Sequence, residues 1–337
     1  MRLRHPSGRI VHLTCGVSLT DATTPADAFT ILDTAAADLR AGLGQSSDQG
    51  RDSGYPDTLA IALRLSHPLA ATLMDDGRAR TRLRAELDAR SLEVVTLSGA
   101  PDAEGGGSPP APAPADETPA APSGETPGDM PDGDMPDGVL PDWSEPARLQ
   151  HTLDLARILV DLLPEDEVRG AVGTCGLGRR ASWDEAHELA GGRHLRRLSG
   201  GLADLAWRVG RAVRVGFEPQ PGYVLDSPEE TVAALARVDK DRLGVCLDLS
   251  RVVRDWAVPE DGIDRLTDAG LSVITARITD PAVAWQPVLR HLLAADTART
   301  EYIEVDGAGS RAADLTYVIG QLTALGLIPE NEPCTAP

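Results

Sequence analysis

Three carboxylates stand at or near the ends of short apolar runs in the sequence, and this shared placement suggests one site. They are Glu218, Asp248 and Glu304. Carboxylates that share a cavity repel one another, so they require a divalent cation, a shared proton or arginines. Their oxygens suit Mg²⁺ or Mn²⁺. We therefore predict that these three residues are catalytic and that they form a weak site for such an ion, or a site that works with no metal.

Two arginines and one histidine are predicted to lie near these carboxylates. Arg251 follows Asp248 by three residues and Arg277 stands near the end of the next apolar run, so both are predicted to bind substrate. His67 directly follows an earlier run and is a third candidate contact. It is either a general base or a solvent-facing residue at the start of a helix. The histidines on predicted helices are expected on the outer surface or in packing: His151, His187, His194 and His291.

Eight apolar runs alternate with longer amphipathic stretches along the chain. Several runs are rich in β-branched residues and bounded by Gly or Pro, as buried parallel strands are. Eight strand–helix units predict a (β/α)₈ TIM barrel, in which the active site lies at the carboxyl ends of the strands. An open doubly wound sheet is the main alternative, but no Gly-x-Gly-x-x-Gly turn follows the first run. The runs are 10–15, 58–65, 93–97, 170–175, 213–218, 243–248, 271–278 and 302–306.

Residues 99–142 differ from the rest of the chain in composition. They consist mainly of Pro, Gly, Ala and acidic residues, with ten carboxylates and no basic residue. Such a segment cannot bury enough apolar surface to offset its ordering entropy, so we predict a disordered insertion after the third strand. It is either an idle insertion or a lid or docking segment. The barrel is then expected to comprise 1–98 and 143–328, followed by a flexible tail at 329–337.

The overall composition limits the partners. The chain has 337 residues and a net charge of −20, which argues against nucleic acid and anionic membranes. No run of 18 apolar residues occurs, so no membrane span is predicted. The first 12 residues lack the apolar stretch of a signal peptide. The four cysteines show no paired spacing, which favours a cytoplasmic protein with reduced thiols.

Several motifs resemble those of the EboE group of metabolite-traffic proteins. The resemblance covers nearly the whole chain outside the insertion. It implies a xylose isomerase-like barrel, related to metal-dependent isomerases, epimerases and endonucleases. It also implies a role in a gene cluster whose products make or move a hydrophobic metabolite. The motifs are RLRHP (2–6), VHL (11–13), LRAELDAR (83–90), LEVVTL (92–97), PDW (141–143), HTLDLAR (151–157), GFEP (216–219) and LGVCLD (243–248).

The chain also departs from the pattern of that group. Ser250 and Arg251 stand where the group has Cys-His after the aspartate of the sixth strand. Further histidines of the group are missing after the first strand and between 278 and 285. Each loss removes an imidazole that would make a metal site selective. Arginine is a donor only, so Arg251 would neutralise Asp248 or clamp an anionic substrate.

Two functions follow as hypotheses. The first is a metabolite-binding barrel of a biosynthetic or traffic cluster, with a degenerate metal site and a protein partner from the same cluster. The second is a divalent-metal-dependent isomerase or epimerase that acts on a small polyol or carbonyl metabolite through an enediol or enolate. The missing histidines favour the first, and the three carboxylates favour the second.

Overall fold

The computed structural model describes residues 1–45, 58–99 and 142–330. Eight parallel strands pair in chain order, and the first also pairs with the last, so the sheet closes into the predicted TIM barrel. The strands of the barrel are β2 (Ile10–Leu19), β3 (Leu59–Leu65), β4 (Leu92–Gly99), β5 (Arg169–Cys175), β6 (Ala212–Glu218), β7 (Leu243–Asp248), β8 (Val273–Ile278) and β9 (Tyr302–Val305).

The helices lie around this barrel and follow the amphipathic stretches. They are α1 (Pro25–Gln45), α2 (His67–Asp75), α3 (Gly77–Ala89), α4 (Pro146–Leu162), α5 (Glu185–Val209), α6 (Pro228–Leu235), α7 (Leu249–Asp255), α8 (Pro259–Asp268), α9 (Gln286–Ala294) and α10 (Arg311–Ala324). The sequence Ser-Pro-Glu-Glu at 227–230 predicts a capping box, and this capping box is present at the start of α6. Ser227 Oγ accepts a hydrogen bond from the Glu230 amide at 3.3 Å, and Glu230 Oε2 accepts one from the Ser227 amide at 3.1 Å.

Two short strands were not predicted. β1 (Arg2–Arg4) and β10 (Ile328–Pro329) pair antiparallel with each other, and β1 also pairs with β2. Strands of three and two residues are too short to show an alternating pattern, so the sequence gives no signal for them.

The glycine pair Gly191 and Gly192 in the amphipathic stretch 182–209 predicts a break in its helix, and this prediction was wrong. α5 continues through both glycines. A Cβ atom on Gly191 would lie 3.2 Å from the Trp183 ring, so the residue is small because the ring packs close to the helix. Packing therefore outweighs the low helix propensity of glycine here.

The described residues on both sides of 100–141 belong to one barrel, because β4 pairs with β5 through Thr96 and Ala171. The predicted insertion itself, apart from its two end residues, lies outside the described residues, as do residues 46–57 and most of the predicted tail.

The main core lies between the barrel wall and the helices. There Phe217 on β6 meets Trp143, with ring centroids 5.3 Å apart, and both side chains are fully buried.

Candidate functional site

A cavity of about 430 Å³ opens at the carboxyl ends of the barrel strands; we call it the mouth. Small side chains make room for it inside the barrel, among them Ala171, Gly173 and Thr275. Larger polar residues surround the opening. The charged ones that line the mouth are Arg64, Arg148, Glu218, Arg251, Arg277, Glu304 and Asp306.

The centre of the mouth is an ion pair between Arg277 at the end of β8 and Glu218 at the end of β6. Nη2 of Arg277 donates a hydrogen bond to Oε2 of Glu218, and the two side chains are only 13% and 16% exposed. Burial opposes the charge of Arg277, but Glu218, Glu304 and Asp248 raise its pKa well above the usual range. The guanidinium is therefore a permanent cation among the carboxylates.

Glu304 on β9 lies next to this pair and differs from Glu218 in its bonding. Its side chain makes no hydrogen bond with any residue that the structure describes. Burial raises its pKa, Arg277 opposes this shift, and the neighbouring charge of Asp306 adds to it. Glu304 is thus a carboxyl group that holds its proton to a higher pH than an exposed glutamate does.

A second ion pair closes one side of the mouth. Arg64 at the end of β3 contacts Asp306, with Nη2 and Oδ2 2.5 Å apart. Gly16 on β2 allows this arrangement, because a Cβ atom there would overlap the Asp306 carboxylate. Neither Arg64 nor Asp306 was predicted as a site residue. Asp306 lies two positions after Glu304 and so shares its face of the strand, which is the signal that could have revealed it.

Asp248 lies to one side of the mouth and acts as the cap of α7. Its carboxylate accepts hydrogen bonds from the Ser250 amide at 3.0 Å and from the Thr279 hydroxyl at 2.8 Å. Arg251 places Nε 3.4 Å from Oδ2 of Asp248 and is 39% exposed. The carboxylate is thus already bonded by its own neighbours, although a catalytic role for Asp248 stays a prediction.

His67 takes one of its two predicted positions, at the exposed start of a helix, whereas the place of His151 at the mouth was not predicted. His67 is exposed as the first residue of α2 and does not line the cavity. His151 on α4, expected on the outer surface or in packing, is buried and lines the mouth. The two Nδ1 atoms are 3.3 Å apart. The spacing of apolar residues along α4 indicates which face of the helix is buried. It does not indicate that this face reaches the carboxyl ends of the barrel strands.

The described side chains do not fit a divalent ion. No group of three or more His, Cys, Asp or Glu residues in this part of the chain could hold a metal. Arg277 occupies the space between Glu218 and Glu304, and a guanidinium offers a metal no lone pair. The predicted convergence holds for Glu218, Glu304, Arg251 and Arg277, which line one mouth, while Asp248 lines a smaller neighbouring cavity of about 80 Å³.

Comparison with known proteins supports the fold. No family model and no curated protein sequence matches the chain. The structural neighbours are xylose isomerase-like TIM barrels that include sugar epimerases and isomerases. At 11–16% identity they establish similarity of fold alone.

Three solved structures illustrate this similarity. A xylose isomerase-like TIM barrel protein from Mycobacterium smegmatis in complex with magnesium has 16% identity and a TM-score of 0.54, over 96% of this chain and 94% of that one. A D-tagatose 3-epimerase-like protein has 12% identity and a TM-score of 0.54, over 93% and 98%. D-allulose 3-epimerase from Methylomonas sp. in complex with D-allulose has 11% identity and a TM-score of 0.51, over 90% and 86%.

Within the described residues, no helix has the length and apolarity needed to cross a bilayer.

Proposed function

We propose that the mouth binds a small, uncharged, polyhydroxylated metabolite of the sugar type, with Arg277 supplying the positive charge that a divalent ion supplies in other barrels. The observation that carries this proposal is the partly buried pair of Arg277 and Glu218 at the mouth. A buried carboxylate needs a compensating charge, and the guanidinium provides it permanently.

The charge balance of the mouth favours a neutral ligand. The described residues at and beside the mouth include four arginines and four carboxylates. Seven of these eight residues line the mouth, and the eighth, Asp248, pairs with Arg251 beside the opening. Arg64, Arg251 and Arg277 each have a carboxylate partner. An anionic ligand that bonds to one of these three arginines would compete with its carboxylate partner, whereas a hydroxyl group can donate to the carboxylates and accept from the arginines without breaking the pairs.

The uncharged part of the lining also suits hydroxyl groups. Side chains with hydrogen-bonding groups alternate with small apolar surfaces, as is usual in small-molecule sites. These polar side chains are Thr96, Ser98, Thr152, Thr174, Gln220, Tyr223 and Thr275. The similar epimerase from Methylomonas binds D-allulose, a neutral sugar of a size that such a cavity accommodates.

Isomerisation or epimerisation of such a metabolite is the second candidate function. It is favoured by Glu304, a carboxyl group in the mouth whose raised pKa suits a residue that exchanges a proton with a substrate oxygen. The assignment to the EboE group, a protein partner from the same cluster and a cytoplasmic location stay predictions from the sequence.

The test is calorimetric titration of the full chain with matched neutral and anionic probes, after treatment with a chelator. The probes are D-allulose, D-fructose and xylitol on one side and D-fructose 6-phosphate and D-gluconate on the other. We expect the neutral probes to bind, and Arg277→Met to weaken binding about tenfold or more because it removes the compensating charge.

A matched control is Arg265→Met, which removes an arginine paired on the surface with Glu229 at 2.7 Å. This variant should bind the probes as the unchanged chain does. Binding of the anionic probes alone would contradict the proposal. Binding or epimerisation that appears only after Mn²⁺ is added would favour the metal-dependent alternative.

A further inference from the structure

One buried histidine at the mouth has a nitrogen that the fold leaves without a partner. His151 is 4% exposed and lines the cavity. Its Nδ1 atom lies 3.3 Å from Nδ1 of His67, whereas its Nε2 atom is buried and makes no hydrogen bond with any described residue. Buried polar atoms in native proteins are almost always paired, so an unpaired one at a cavity calls for an explanation.

We infer that His151 is a ligand-contacting residue whose Nε2 atom bonds to a hydroxyl group of the bound metabolite, and that His67 is a positioning residue that holds the His151 ring. The inference rests on the proposed function, because it places the ligand in the same mouth. Neither residue belongs to the carboxylate and arginine set described above.

The pairing of the two rings explains why the partner should be a hydroxyl group. A hydrogen bond between two Nδ1 atoms requires a proton on one of them. If His67 donates, a neutral His151 carries its own proton on Nε2 and donates it to the ligand. If His151 donates through Nδ1, its Nε2 atom accepts from the ligand instead. A hydroxyl group serves both arrangements, whereas a carbonyl or carboxylate oxygen serves only the first.

The surroundings of His151 keep it neutral, as this role requires. Burial lowers the pKa of His151 to about 3, and the neighbouring His67 and Arg148 contribute in the same direction. The imidazole therefore keeps one N–H group and one lone pair near neutral pH. Its contacts do not depend on a change of charge.

Gly99 at the end of β4 provides the space in front of Nε2. A Cβ atom there would lie 2.8 Å from Nε2 of His151, closer than real Cβ contacts occur. Gly99 also lines the mouth. A side chain at this position would therefore press against Nε2, the atom proposed to bond to the ligand.

His194 on α5 is the matched structural histidine. It is also buried, at 6% exposed, but its Nδ1 atom lies 2.9 Å from the Trp143 carbonyl oxygen and it does not line the mouth. Loss of the His194 imidazole should affect stability, whereas loss of the His151 imidazole should affect ligand binding.

The experiment combines variants with NMR of the histidine side-chain nitrogens in the full chain, using D-allulose as the probe. We expect D-allulose to shift the His151 Nε2 resonance and to leave those of His194 unchanged. His151→Phe should weaken D-allulose binding about three- to tenfold, the range for one neutral hydrogen bond. His67→Ala should weaken it about two- to threefold, and His67→Gln, which keeps a donor and an acceptor, should restore it. His194→Phe is the control and should bind D-allulose unchanged.

Two results would overturn the inference. If D-allulose binds but leaves the Nε2 resonance of His151 in place, and a folded His151→Phe variant binds equally well, the contact does not exist, although the proposed function stands. If D-allulose, D-fructose and xylitol all fail to bind the unchanged chain, the proposed function and the inference both fail. Because the resonance shift is measured on the unchanged chain, the test does not depend on whether any variant folds.

Discussion

Arg277 and Glu218 form a partly buried hydrogen-bonded ion pair that joins the ends of β8 and β6 across the intervening strand β7. The pair links two strands that are not neighbours in the sheet, so it ties together one side of the mouth. It also places a permanent cation beside both Glu218 and Glu304, whose charges raise the pKa of Arg277. If the proposed function holds, stability and ligand specificity depend on the same two residues.

The first prediction concerns the stability of this pair. Arg277→Leu leaves the partly buried Glu218 without its partner and should lower the free energy of unfolding by about 2–4 kcal/mol, between the values for exposed and fully buried pairs, measured by urea denaturation. The double variant with Glu218→Leu should recover part of this loss, because no buried charge remains unpaired at that position. Arg265→Leu breaks a surface pair and should cost no more than about 1 kcal/mol. A loss for Arg277→Leu as small as that of the surface variant would contradict the buried pairing.

The barrel could be predicted from the sequence because its strands are buried on both faces. Each of the eight runs is apolar and short and is followed by an amphipathic stretch. The hydrophobic period and the length of the segments therefore both indicate a strand followed by a helix. The prediction did not extend to β1 and β10, which are too short to show a period. It also misjudged Gly191, whose small size reflects the packing of Trp183 rather than a helix end.

The site was predicted in part, because strand ends show which residues reach the mouth but not what they contact there. Glu218, Glu304 and Arg277 line the mouth together as their positions indicate. In the structure Arg277 contacts Glu218, whereas Arg251 contacts Asp248. His151 was missed because its helix meets the mouth only through tertiary packing, which no local pattern reports.

The second prediction concerns metal binding. Arg277→His removes the cation between two carboxylates and adds an imidazole, so it should bind Mn²⁺ at least about tenfold more tightly than the unchanged chain. Arg251→His should gain less, because the neighbouring Asp248 already accepts hydrogen bonds from Ser250 and Thr279. Calorimetry with Mn²⁺ compares the three proteins. Micromolar binding by the unchanged chain that is lost in Glu218→Gln would contradict this account of the site.

The third prediction concerns Glu304 and pH. Its pKa in the folded chain is raised above the ordinary value of 4.5 by burial, so its ionised form disfavours the folded state. The stability linked to its proton is present below pH 4.5 and lost as the pH rises through the folded pKa. Glu304→Gln should therefore raise the free energy of unfolding at pH 7 by about 1 kcal/mol. The gain should vanish near pH 4, and a gain that is equal at both pH values would show that its cause is not ionisation.

The fourth prediction concerns two histidines at opposite ends of the barrel, of which His151 is buried and His12 partly buried. Burial lowers the pKa of His151 at the mouth to about 3 and that of His12 on β2 to about 4. Each depressed pKa contributes stability that is present above the ordinary value of 6.5 and lost as the pH falls toward the folded pKa. His151→Gln and His12→Gln should each reduce the loss between pH 6.5 and 5 by about 2 kcal/mol.

The two effects should add, because the histidines share no partner. His187 provides the contrast. It lies on the surface beside Asp184, which raises its pKa, so its contribution has the opposite sign and is lost as the pH rises. Urea denaturation of His151→Gln, His12→Gln and His187→Gln from pH 7 to pH 5 measures the three contributions. If His151→Gln follows the same pH dependence as the unchanged chain, the imidazole becomes charged without cost in the folded state and is not buried at the mouth. That result would also remove the neutral His151 on which the proposed contact with the ligand depends.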